Sequence, residues 1–184
     1  MEQFLIFVDV FISMRKVEKA GLEIIKKATD PEYQTSWENG IPTSKKKSEI
    51  KKGRTSRARG ARFELKVRRD LEEKGRIVDK WTNNIDLTEG KLIIAKRKYN
   101  PFSKVMTLGT GFPDFITISH IHDGMYSVIG VEVKINGILS KEEKEKCRWY
   151  LEKKIFSEIW IAKEKMIGRK IKIEYIDFKE RYME

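Results

Sequence analysis

The chain has 184 residues, with 39 Lys and Arg against 28 Asp and Glu, giving a formal net charge of +11. That length suits one domain with an appended segment, and the charge favours a polyanionic partner, nucleic acid above others. A lone cysteine, Cys147, excludes an intramolecular disulfide, and the pattern holds no Cys/His zinc spacing, as expected of a reducing, cytoplasmic protein with no small-molecule cofactor.

Residues 4–14 form a mostly apolar stretch. It is too short to cross a bilayer, carries Asp9 at its middle and follows no basic leader. A packing strand or helix is therefore expected there, with no membrane span and no signal peptide. A helix is expected over Lys16–Ala28. Residues 31–53 combine Pro31, Pro42 and Gly40 with the run Lys45-Lys46-Lys47, the composition of a basic linker. The expected division is 1–53, an N-terminal extension and linker, and 54–184, the main domain.

From Arg54 to Gly75 the pattern is helical. Phe63, Val67 and Leu71 recur every four residues as one apolar stripe, and Gly75 stands where a helix ends. Between Arg76 and Gly111 one strand is expected, at Leu92–Ile94, with a turn at Asn100-Pro101. Phe115–Ile118 reads as a strand, Asp123-Gly124 as a hairpin turn and Tyr126–Ile135 as the returning strand. Ser140, with Glu143 three residues later, forms a capping box that starts a helix running to about Phe156. Cys147, Tyr150, Leu151 and Ile155 are its core stripe. Two further strands are expected at Ile159–Ala162 and Ile171–Ile176. Helix, strands, helix, strands indicates an α/β domain with a central mixed sheet flanked by helices.

The chemistry lies on the central hairpin. Side chains alternate along a strand, so Ile129, Val131, Val133 and Ile135 share one face, and Glu132 and Lys134 share the other. Asp114 follows Gly111-Phe-Pro at the mouth of the preceding strand, and antiparallel pairing would bring it beside Glu132. Two converging carboxylates repel each other, which a divalent cation relieves; oxygen-only ligands suit Mg²⁺, with Mn²⁺ as a substitute. A metal held by Asp114 and Glu132, next to Lys134, is a mechanism for hydrolysing a phosphodiester. A lone Glu-x-Lys is usually a solvated pair and a lone Pro-Asp usually a turn. Both in order, on strands joined by a hairpin, in a basic chain, are far less common.

Asp114 followed by Glu132-Val-Lys134 resembles the signature of the PD-(D/E)xK nucleases. Arg59-Gly-Ala-Arg-Phe-Glu64 resembles the opening motif of archaeal Holliday junction resolvases, and Leu139-Ser-Lys-Glu-Glu143 resembles the Leu-Ser-Pro-Glu-Gln motif of the virus-type replication-repair (VRR-NUC) nucleases. The resemblance spans roughly residues 54–178. It departs at Lys141 and Glu143, which replace proline and glutamine, in a longer segment from Trp81 to Leu108, and in the first fifty residues, which have no counterpart. What it implies is a restriction-endonuclease-like fold and a metal-dependent endonuclease acting on DNA in recombination, repair or replication. Asp114 and Glu132 would bind Mg²⁺, with Glu64 helping directly or through water and the Val133 carbonyl completing the coordination. Lys134 would orient or activate the attacking water. Within nucleases the alternative is a junction resolvase working as a homodimer; outside them it is a non-catalytic nucleic-acid-binding module.

Arg54, Arg57, Arg59 and Arg62, beside Lys51 and Lys52, are candidates for phosphate contact. Lys96, Arg97 and Lys98, with Tyr99 and Phe102, are candidates for charge and stacking. Lys144, Lys146 and Arg148 face away from much of their helix's apolar stripe. By resemblance that helix lies beside the active site, so one of the three is expected to touch phosphate, with Lys144 and Arg148 as the candidate contacts to DNA. His120 and His122 are expected to be bland surface residues beside the hairpin turn.

Overall fold

The structure is a computed structural model. It describes residues 21–38, 40–94, 97–100, 105–108, 111–168 and 170–183. It divides into two compact units, residues 1–59 and 60–184.

In the first unit a helix, α1, is described over residues 21–29. The expected basic linker is instead a hairpin of β1 (Tyr33–Glu38) and β2 (Ile41–Lys46), followed directly by a helix. The prolines and glycine that suggested a linker serve the hairpin: Pro31 precedes it, Gly40 takes φ 78° at its turn, and Pro42 stands opposite Trp37. Thr35 and Ser44 pair across the strands at 2.9 Å. Helix α2 (Lys47–Glu73) begins seven residues before Arg54. Gly53 lies inside it; one glycine among Lys, Arg and Glu costs about 1 kcal/mol against Ala, too little to stop the helix. Residues to Arg59 belong to the first unit and those from Gly60 to the second.

The second unit is built on a five-stranded mixed sheet. It comprises β3 (Ile77–Lys80), β8 (Phe115–His122), β9 (Met125–Val133), β10 (Glu158–Ile167) and β11 (Lys170–Asp177), in the order β11-β10-β9-β8-β3. Only β9 and β10 are parallel, and the helix α3 (Lys141–Glu152) makes that crossover. Smaller hairpins, β4 (Asn83–Asp86) with β5 (Lys91–Ile94) and β6 (Arg97–Asn100) with β7 (Val105–Leu108), fill the segment where one strand was expected. The expected strand at Leu92–Ile94 is β5; the other three, four residues each, are too short to write an alternation into the sequence. A short helix, α4 (Phe178–Tyr182), follows β11.

Alternation sorts the core into two layers. Phe63, Val67 and Leu71 of α2 pack on Val78, Phe115, Ile129, Val131 and Ala162. Cys147 and Tyr150 of α3 pack with Ile85, Phe112, Leu139, Phe156, Ile159, Ile161 and Phe178 on the other face. Each fully buried Leu, Val or Phe contributes about 1.5–3 kcal/mol, so the α2 stripe is a substantial anchor. Past α2, Gly75 takes φ 78° and the Arg76 N–H returns to the Leu71 carbonyl at 3.1 Å, which stops the helix. Asp123 (φ 44°) and Gly124 (φ 75°) make the tight turn between β8 and β9. No helix among the described residues is long and apolar enough to cross a membrane.

Candidate active site

The β8–β9 ladder pairs Phe115 with Val131, so the next step of the register sets Asp114 against Glu132. Both fall on the face that receives α3, because Phe115 and Val131 occupy the α2 face. The Asp114 carboxylate is fixed by the Val133 N–H, which donates to Oδ2 at 2.9 Å. Backbone crowding sets its approach: the Phe112 N–H donates to the Asn83 carbonyl at 2.9 Å, and Gly111 lies so close to the Trp81 and Asn83 carbonyls that a Cβ would overlap them.

Around this pair lies a cleft of about 300 Å³, lined by Asn84, Phe112, Asp114, Glu132, Lys134, the α3 N-cap Ser140 and the α3 residues Glu142, Glu143 and Lys146. Glu132 is 5 % exposed, which for a carboxylate demands a partner. The partner is Lys134, whose Nζ stands 3.1 Å from Glu132 Oε1 and 2.6 Å from Glu143 Oε1. The other Glu143 oxygen accepts from the Ser140 N–H at 2.7 Å, closing the capping box of α3. One residue therefore caps the helix and anchors the lysine.

The electrostatics follow. Burial pushes the Glu132 carboxyl up to about 8, and the charge of Asp114 adds to the rise against the opposing pull of Lys134. Burial likewise raises Asp114; the Val133 hydrogen bond works against it, and the charge of Glu64 with it. Burial disfavours the Lys134 ammonium, but the hydrogen bonds and charges of Glu143 and Glu132 outweigh that and raise its pKa, so it remains a cation. Burial opposes ionisation of Glu143, and the hydrogen bond from Lys134 overcomes it, holding this carboxyl below its usual range.

The structure brings Asp114, Glu132 and Lys134 together. Glu64 stands outside the cleft lining: its carboxylate accepts from Lys80 Nζ at 3.4 Å and acts on Asp114 through its charge. Arg54, Arg57, Arg59 and Arg62 are exposed along α2. Arg97 and Lys98 lie on β6, with their side chains outside the described set, whereas Lys96 and Phe102 fall outside the described residues. Lys144 turns toward α4, its Nζ 4.3 Å from the Tyr182 ring centroid, and neither it nor Arg148 lines the cleft. The α3 cation that does is Lys146, three residues after Glu143 and so on the same helix face. Glu143 was legible only as a capping residue; the signal for its second role was that a capping box opened the helix packed on the Glu132 face. His120 stacks edge-on with Tyr126 at 5.3 Å, and His122 is exposed beside Asp123.

Among the described residues no group of three or more His, Cys, Asp or Glu side chains is gathered into a metal cage. The donor set present is two adjoining carboxylates, Asp114 and Glu132, the charge of the first raising the pKa of the second. Such oxygen donors fit Mg²⁺, which keeps several waters and takes one or two carboxylates, better than a softer metal. Comparison with protein-family models, curated proteins and solved structures finds no match.

Proposed function

We propose that this chain is a Mg²⁺-dependent deoxyribonuclease of restriction-endonuclease-like fold that hydrolyses phosphodiester bonds. The observation that carries the reading is two mutually repelling carboxylates, the buried Glu132 and the half-buried Asp114, beside the ammonium of Lys134 in a polar cleft. Asp114 and Glu132, with the Val133 carbonyl, would hold the metal. When bound, it would supply Lewis acidity and a water of lowered pKa.

The chain's own residues do the rest. The Val133 N–H fixes the rotamer of Asp114. Glu143, together with Glu132, holds Lys134 in place and keeps it charged. A fixed ammonium donates hydrogen bonds to an attacking water and to the oxygens on which negative charge grows at phosphorus. It does not serve as the base in this arrangement, because its proton is held by two carboxylates. The net charge of +11 supports a DNA substrate by attraction to the phosphate backbone.

The test is cleavage of labelled linear duplex, single-stranded, flap and four-way-junction DNA in Mg²⁺, Mn²⁺ or EDTA, with Asp114→Ala in parallel. Metal-dependent cutting that vanishes in Asp114→Ala supports the nuclease, and the preferred substrate distinguishes a resolvase from a replication-repair type. Tight DNA binding with no cutting of any substrate overturns it in favour of a binding module.

A further inference from the structure

The cleft carries an unusual charge balance for a site that receives a polyanion. Asp114, Glu132, Glu142 and Glu143 line it against Lys134 and Lys146. Fully ionised, that is four negative charges against two positive ones. Lys134 is committed, held between Glu132 and Glu143, and Glu143 is itself tied to the Ser140 N–H.

Lys146 is held differently. Its side chain is only 10 % exposed, yet the carboxylate it meets, Glu142 at 2.6 Å, is 67 % exposed at the rim. Its Nζ also lies 5.8 Å from the Phe112 ring centroid, one more wall of the same cleft. A helical i, i+4 partner whose carboxylate is mostly in water holds its cation weakly, so an incoming anion exchanges for Glu142 at little cost. A desolvated ammonium gains more from a phosphate oxygen than from a carboxylate that is mostly in water.

We propose that Lys146 is the phosphate-binding residue of the cleft and that Glu142 is its displaceable countercharge, a gate that the DNA backbone must swing aside. This rests on the nuclease reading for its substrate. Glu142 thereby weakens non-productive binding: with the gate closed, the cleft offers an arriving phosphate no uncommitted ammonium at this wall.

The test is binding of a fluorescently labelled DNA duplex by anisotropy in EDTA, where no metal-dependent cutting occurs, at several salt concentrations. The proteins are the parent chain and its Glu142→Gln, Lys146→Gln and Lys146→Arg variants. Glu142→Gln is expected to tighten binding about threefold, since it removes a competing charge at an exposed position without disturbing packing. Lys146→Gln is expected to weaken binding about tenfold and to reduce the slope of log affinity against log salt by about one, the signature of one lost phosphate contact. Lys146→Arg should keep the slope. Overturning results are an unchanged or weaker affinity in Glu142→Gln, or a Lys146→Gln slope equal to that of the parent, which would make the pair a structural one. Because no cutting is read, these outcomes are separable from failure of the nuclease reading, which the cleavage assay alone reports.

Discussion

Lys134 Nζ and Glu143 Oε1 lie 2.6 Å apart, and the same glutamate closes the capping box of α3 through Ser140. The helix start and the active-site cation are thus set by one side chain. Glu143→Gln keeps an oxygen for the Ser140 N–H but loses the charge that holds Lys134. A hydrogen bond to a charged group contributes about 1.5–3 kcal/mol to stability, so Tm should fall by several degrees, and an unanchored Lys134 should lower kcat on the preferred DNA by roughly 10–100-fold. Glu143→Ala should lose the same activity and, in addition, about 0.5–2 kcal/mol of stability with the cap. Equal Tm losses in the two variants, with kcat preserved in Glu143→Gln, would separate the cap from the chemistry and refute the shared role.

The buried Glu132 carboxyl makes stability depend on pH in a definite direction. Glu132 has a folded pKa raised by burial and by Asp114, from 4.5 to about 8. Between those values the folded state holds more protons than the unfolded one, so stability is present below the window and is lost as pH rises through it. The metal-free protein should therefore melt progressively lower as pH increases from about 5 to about 8. Glu132→Gln, which mimics the protonated form, should flatten that trend while abolishing cleavage. Mg²⁺ binds the ionised pair and so should raise Tm most at the upper end of the window. Thermal melts with and without Mg²⁺ across this range check both signs; a metal-free Tm that rises with pH would contradict the site's electrostatics.

The exposed arginines of α2 should act on binding alone. Arg54 and Arg57 bury no surface in the core, so replacing either with Ala should change stability by no more than about 0.5 kcal/mol. If they meet phosphates, each loss should lower DNA affinity for all sequences alike and reduce the salt slope by about one. Anisotropy titrations at three salt concentrations, beside melting curves, would show it. Unchanged slopes would make them a solvated helix face.

Strong periodicity was what sequence could convey. Phe63, Val67 and Leu71 mark α2, and Ile129 and Val131 mark β9, because burial on one face writes a repeat into the chain. The Asp123-Gly124 turn showed that the strands of Asp114 and Glu132 are neighbours but not their register: carried back from the turn it sets Asp114 against Val133, and the bulge between His120 and His122 shifts it by one so that Asp114 meets Glu132. In the hairpins β4–β5 and β6–β7 only the apolar run of β5 left a mark: the strands are four residues long, too short for a repeat, with Ile85 the buried anchor of the first hairpin. Likewise the start of α2 was hidden by Gly53 and the preceding lysines, whose composition is equally that of a linker. Glu143 was legible only as a cap, and Lys146 only as one of three α3 cations of which one was expected to touch phosphate, because which of them reaches the cleft depends on where α3 crosses β9, a packing relation that local spacing does not carry.

Gly111 offers the sharpest test of how the backbone builds the site. A Cβ there would overlap the Trp81 carbonyl oxygen and come within 2.7 Å of the Asn83 carbonyl oxygen, backbone atoms of a neighbouring segment rather than the end of a flexible side chain. Gly111→Ala must then push the Gly111–Asp114 segment away from Trp81, whose N–H donates to the Asp114 carbonyl at 3.3 Å. Overpacking of this kind costs about 1–3 kcal/mol, and each kcal/mol lowers Tm by about 2–4 °C in a chain of this size. The displacement reaches Asp114, so kcat should drop as well. Gly60→Ala is the control, because nothing lies within 4 Å of its Cβ position and Gly60 sits inside α2. There the same added methyl should stabilise the helix by about 0.5–1 kcal/mol, since Ala loses less freedom than Gly on folding. Opposite Tm shifts for the two variants, with activity lost only in Gly111→Ala, are expected. A Gly111→Ala protein that melts and cuts like its parent would show that Asp114 does not owe its position to this close backbone approach.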